Sequence, residues 1–288
     1  MLLLYEINRK LNFRYFIRLS FNGESFHGWQ LQHNAHSIQS ALKDALTVIL
    51  RDPTEVTGAG RTDAGVHARE FFAHFDSRKE LSPHERKELI CHLNGYLPAS
   101  ISINAVMPVK PGAHARFSAR SRTYKYFITR KKDPFLQAFS YYYPGKLDMI
   151  VMNQGAAILK DNLDFTSFAK LPAETKTNIC HIEDAMWEEK DHLLVFTITA
   201  DRFLRNMVRA VVGTLIELGR GKISIEDLNR IILSRNRCAA GYSVPANGLF
   251  LVSVKYPADI FLETPDDPEY SDGNSENPSG EAEPKKKF

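Results

Sequence analysis

The chain has 288 residues, is 43% apolar and 25% charged, and carries a net charge of +3. That length suits one large domain or two ordinary ones, and no apolar run approaches the span that crosses a bilayer. The opening MLLLYEINRK has too short an apolar patch for a secretory signal. Cys91, Cys180 and Cys238 lie far apart without CxxC spacing, which argues for reduced thiols in an intracellular, cytoplasmic setting.

The predicted elements begin with FRYFIRLSF, a strand with Arg14 and Arg18 on one face. SIQSALKDALTVIL reads as a helix with Ser37 as its N-cap and Ile38, Leu42, Ala45 and Ile49 along one side. A glycine-rich loop follows, then the strand REFFAHFDS. SPHERKELICHL is a second helix, capped by Ser82, with Pro83 in its first turn and Glu85 placed for a capping box. SISINAVM closes the first half as a strand, and RTYKYFITR opens the second. DMIVMNQGAAILK is helical with Asp148 as cap, and IEDAMWEE and LLVFTITA form a hairpin around Lys190 and Asp191. RFLRNMVRAVVGTLIELG reads as one long helix ended by Gly219, SIEDLNRIIL as a short helix and GLFLVSVKY as a last strand.

This mixture lacks a strict strand–helix–strand rhythm. It predicts an α+β fold of two similar subdomains with antiparallel or mixed sheets and helices on one face. The expected division is residues 1–112, residues 113–258 and an acidic tail, 259–288. From Glu263 onward eight acids face three lysines, which leaves 34 basic and 26 acidic residues, a net of +8, in the rest. A body that basic attracts a polyanion. The tail is almost free of aliphatic residues and is expected to stay disordered, since it has little apolar surface to bury against its ordering entropy.

The loop GAGRTDAGVHA, residues 58–68, holds a single carboxylate, Asp63. Its glycines allow tight turns and close approach by a ligand. A lone loop aspartate most often caps a turn. The spacing is not GxGxxG and no Lys-Ser/Thr follows, which argues against a nucleotide-dependent enzyme with a phosphate-cradling loop. His33, His36, His67 and His74 do not converge with cysteines or acids at metal-ligand spacing, so no metal is expected.

GAGRTDAGVHA resembles the signature of the tRNA pseudouridine synthase A family. FNGESFHGWQLQ, HARFSARSRTYKYFI, DFTSFAK, FLRNMVRAVVGTLIELG and GLFLVSVKYP are similar to further blocks of that family, in the same order. The resemblance runs from about residue 13 to residue 257. It implies the pseudouridine synthase fold, with the active-site cleft between the two subdomains. It implies isomerisation of uridine to pseudouridine in the anticodon stem-loop of tRNA, at family positions 38–40, without cofactor. It also implies a homodimer with tRNA lying across both subunits.

The resemblance makes Asp63 the nucleophile and leaves open whether it attacks the ribose, attacks the base or first removes a ribose proton. Arg61 would reach the RNA and help hold the flipped base out of its helix. Tyr124 would stack on the uracil and assist proton removal from C5. Leu249 would pack against the base. Arg209 matches the family's arginine that pairs with the nucleophilic aspartate. Arg202, Arg205 and Arg209 stand at i, i+3 and i+7 of the predicted long helix, so they would share one face, solvated or facing phosphates. A catalytically inactive tRNA-binding protein on the same scaffold is the competing reading, and the intact set of Arg61, Asp63, Tyr124 and Arg209 argues against it.

Overall fold

A computed structural model of the chain describes residues 13–170, 177–190 and 192–263. The first half runs β1 (Phe13–Phe21), α1 (Ile38–Leu50), β2 (Thr57–Gly58), β3 (His67–Ser77), α2 (Pro83–Tyr96) and β4 (Ile101–Val109). The second runs β5 (Ser121–Thr129), β6 (Tyr141–Tyr142), α3 (Met149–Lys160), β7 (Ile182–Lys190), β8 (Leu193–Ala200), α4 (Met207–Gly219), α5 (Ile225–Ser234) and β9 (Leu249–Lys255). The expected α+β class holds.

Local chemistry sets the helix starts. Ser37 accepts a hydrogen bond from the Ser40 amide, Ser82 from Glu85, Asp148 from Ile150 and Val151, and Ser224 from Asp227. Each cap satisfies amides that the first helical turn leaves without a partner.

The two halves do not hold separate sheets. Among the described residues nine strands make one sheet in the order β4-β1-β3-β9-β5-β8-β7, with β2 beside β3 and β6 beside β5. Most pairs are antiparallel. The join between halves is a short parallel pairing of β3 with β9, His67 opposite Phe250 and Ala68 opposite Leu251. β9 therefore serves both halves. Its Leu251 and Val254 enter a core with Phe16, Ile17, Phe72 and Leu93, while its Leu249 enters another with Tyr126, Phe196 and Leu215.

The edge strands β4 and β7 are closed off in the same way. Asn94 of α2 donates to the Ile103 carbonyl at 2.9 Å and accepts from the Ile103 amide at 2.7 Å. Asn153 of α3 does the same to Trp187, at 3.0 and 2.8 Å. An amide side chain that occupies both backbone groups of an edge residue blunts it as a template for further strand pairing.

Two expectations are corrected. The long helix predicted from Arg202 begins at Met207. Asn206 sits in the left-handed region at φ 66°, which a right-handed helix cannot continue through. Upstream, the Arg205 carbonyl accepts from the Lys170 amide, and the Asp201 carboxylate accepts from the His181 amide. Residues 202–206 are therefore a tethered loop, and Arg202 and Arg205 share no helical face with Arg209. α4 itself is buried on nearly every side, as a core helix and not an amphipathic one.

The second correction concerns the start of the tail. Ala258–Ile260 form a 3-10 turn, Ile260 is buried, and Phe261 bridges to Val109. Packed chain thus continues to Glu263, which pairs with the mostly buried Arg86. The disorder expected from residue 264 onward, like the turn residue Asp191, lies outside the described residues. No helix among the described residues is long and apolar enough to cross a membrane.

Candidate active site

The loop carrying Asp63 is held from behind by the segment that follows β1. The Ala59 amide donates to the Phe72 carbonyl at 2.7 Å. The Trp29 amide reaches the Thr62 carbonyl at 3.4 Å, and the Gly65 amide reaches the Phe26 carbonyl at 3.3 Å. Gly28 makes this approach possible. It adopts φ +86°, and a Cβ there would stand 2.2 Å from the Thr62 carbonyl oxygen. The FNGESFHGWQ block and the GAGRTDAGVHA loop are thus one structural unit.

Asp63 faces a cleft of about 1100 Å³. The cleft is bounded by the Asp63 loop, the connector before β5, the floor strands β5 and β9, the 201–206 loop and the first turn of α4. All seven residues singled out in the sequence line it: Arg61, Asp63, Tyr124, Arg202, Arg205, Arg209 and Leu249.

Arg209 Nη1 donates to Asp63 Oδ2 at 3.2 Å. Its Nε donates to the Val244 carbonyl at 2.7 Å, which fixes the plane of the guanidinium. The two side chains are 20% and 23% exposed, so the pair sits at the wet edge of the cleft and not in the core. Arg209 lies in the first turn of α4, where the helix dipole adds positive potential.

Tyr124 forms part of the floor, edge-on to Phe203 with ring centroids 5.1 Å apart. Burial pushes its phenol up to about 12, opposed by Arg122 and reinforced by Asp63. The hydroxyl is therefore protonated throughout the neutral range. Leu249 is buried at the start of β9, opposite Tyr126 of β5.

The rim is cationic. Arg61, Arg116, Arg120, Lys170, Arg202 and Arg205 all line the cleft, against the acids Asp63 and Asp201. Arg116 is held below the usual arginine value, by desolvation first and then by the charges of Arg61 and Arg202. Like charges gathered this closely are suited to an anionic ligand.

Arg116, Arg120, Arg122 and Lys170 were not singled out in the sequence, although three arginines in ARFSARSR were a visible signal. Arg122 has a structural part. Its guanidinium donates to the carbonyls of Asp201 at 2.6 Å, Arg116 at 2.6 Å, Ala59 at 3.1 Å and Ala119 at 3.4 Å. One half-buried cation thus knits the Asp63 loop, the connector and the 201–206 loop together.

A cation-lined cleft over a mixed sheet, with Asp63 paired to Arg209 and an aromatic floor, is suited to an enzyme that works on a polynucleotide. A sequence profile described as tRNA pseudouridine synthase matches residues 162–257. The chain is 50% identical over 248 residues to a tRNA pseudouridine synthase A of Parabacteroides distasonis, covering 86% of this chain and 98% of that protein. It is 54% identical over 249 residues to the one of Bacteroides fragilis, again covering 86% and 98%. With the one of Bacteroides thetaiotaomicron it shares 52% identity over 253 residues, 87% of this chain and 93% of the relative. The chain belongs to the tRNA pseudouridine synthase A family, isomerases that convert uridine to pseudouridine in tRNA.

Proposed function

We propose that the cleft isomerises uridine to pseudouridine in the anticodon stem-loop of tRNA, at family positions 38–40, with Asp63 as nucleophile. The observation that carries this reading is the Asp63–Arg209 pair standing beside Tyr124 and Leu249 inside a cationic rim. The reaction breaks the N1–C1′ bond, forms a C5–C1′ bond, removes a proton from C5 and returns one to N1. It is redox-neutral, and one ionised carboxylate that can bond to the nucleotide and leave again suffices.

The remaining residues take parts around that step. The base must leave its stack before Asp63 can reach it. Arg61, Arg202 and Arg205 hold the displaced strand through its phosphates. The uracil then lies between the ring of Tyr124 and the side chain of Leu249. Because the Tyr124 phenol stays protonated, it acts on C5 as a relay, accepting that proton as it passes its own to water, which returns one to N1. Arg209 donates to Asp63 and holds its oxygen in line.

The two halves, residues 1–112 and 113–258, are the walls of the cleft in this reading, and the acidic tail takes no part in catalysis. The family resemblance further supports a cytoplasmic homodimer with tRNA across both subunits, which native mass measurement with and without tRNA tests. The chemistry is tested with unmodified tRNA tritiated at uracil C5. Release of tritium without added nucleotide or metal supports the synthase, and intact RNA binding with no release supports a binding protein.

A further inference from the structure

Phe117 is 75% exposed and lines the cleft. A large apolar ring left in water on a flexible segment would need no explanation, since scattered surface hydrophobics are ordinary. This one is mounted on a turn fixed by many bonds. The Phe117 and Arg116 amides donate to His114 Nδ1 at 3.3 and 3.1 Å, and the Ser118 amide donates to the His114 carbonyl at 2.9 Å. The His114 amide in turn donates to Ser118 Oγ at 2.9 Å. The turn is anchored below. The Ala115 amide donates to His74 Nδ1 at 3.2 Å, Tyr256 donates to the Ala115 carbonyl at 2.6 Å, and Arg122 donates to the Arg116 carbonyl.

The surroundings of the ring select its partner. The imidazole of His114 lies 4.4 Å from it, tilted by 35°, and supports it from one side. Burial and the charges of Arg14 and Arg116 lower the His114 pKa, so that support is neutral. The Arg116 guanidinium stands 5.6 Å from the ring centroid, and Arg61 and Arg202 act electrostatically on Arg116. A rigid aromatic face beside cations, at the edge of a cleft, is the arrangement that receives a nucleobase on the ring while its phosphate meets the charge.

We infer that Phe117 is a stacking platform for an unpaired base of the substrate RNA, a neighbour of the target uridine and not the target itself. The inference rests on the proposed polynucleotide site, in which Tyr124 and Leu249 already hold the target. Stacking on Phe117 captures the strand beside the extruded nucleotide and resists its return to the helix.

The test measures binding of an unmodified tRNA transcript at several salt concentrations, with tritium release recorded on the same samples. Phe117→Ala and Phe117→Leu should each weaken binding about tenfold, while Phe117→Trp restores it. The slope of log Kd against log salt should not change across these variants, because a stacked base neutralises no phosphate. Arg116→Ala should instead reduce that slope by about one. The emission of the Phe117→Trp variant should be quenched by tRNA, against the buried native Trp29 and Trp187. Parental affinity in Phe117→Ala, restoration by Phe117→Leu, or unquenched emission overturns the platform. Absence of tritium release from the parent protein defeats the synthase reading alone, since stacking is read from affinity and fluorescence.

Discussion

Arg209 Nη1 lies 3.2 Å from Asp63 Oδ2, although 146 positions separate the two residues. The carboxylate belongs to a loop of the first half and the guanidinium to a helix of the second. Their meeting makes the site conditional on both halves folding around β9. The pair is partly solvated, so its contribution to stability is small, about 1 kcal/mol or less. Its value is positional.

Replacing Asp63 by Asn keeps the shape of the side chain and removes the proposed nucleophile. Pseudouridine formation should vanish in single-turnover assays at saturating enzyme. Affinity for tRNA should change by about twofold or less, because a loop carboxylate adds little to a cationic surface. Substantial residual product would remove Asp63 from its role.

Arg209→Ala should lower the single-turnover rate by about 100-fold, the scale seen when one preorganised donor is lost from a reacting centre. Binding of tRNA should weaken by about threefold at most. Arg209→Lys should recover little, since an ammonium cannot reproduce the fork that bonds Asp63 and the Val244 carbonyl together. A variant that loses affinity alone would make Arg209 a phosphate ligand with no part in the chemistry.

Truncation separates the tail from the packed chain before it. Removing residues 264–288 deletes seven acids and three lysines. Catalysis should be unchanged, and binding should tighten slightly at low salt and converge with the parent at high salt. Truncation after Pro257 also removes the buried Ile260 and the ring of Phe261, which packs edge-on against Phe16 and Tyr256. That variant should lose about 3 kcal/mol of stability in urea unfolding. Equal stability of the two truncations would show that residues 258–263 contribute nothing to the fold.

His74 gives a pH dependence. Burial lowers its pKa from 6.5 to about 4, and Arg14 and His114 push the same way. The folded protein therefore binds this proton less readily than the unfolded chain. The stability is whole above pH 6.5 and is lost progressively as pH falls from 6.5 to about 4. The full loss amounts to about 3 kcal/mol. His74→Gln should flatten this limb in denaturant titrations between those pH values. An unchanged slope would place the proton uptake elsewhere.

The sequence by itself determined the local structure and the loop that presents Asp63 to the cleft. Serine and aspartate caps, strand alternation and the glycines around Asp63 act over a few residues, so they are legible without a fold. The loop motif was legible as well, and so were seven of the residues that line the cleft. The reading went wrong where distant segments decide the outcome. The i, i+3, i+7 spacing of Arg202, Arg205 and Arg209 satisfies a helix, but Asn206 is left-handed and the loop before it is tied to Lys170 and His181. Nothing local to Arg122 distinguishes a surface cation from one that binds four backbone carbonyls, and nothing local to Phe117 distinguishes a core ring from an exposed one. Only the tertiary structure decided that the two halves share one sheet through β3 and β9. Strand partnership, burial and the direction of a long side chain are set by non-local contacts, and a short parallel pairing leaves no periodic trace in either segment.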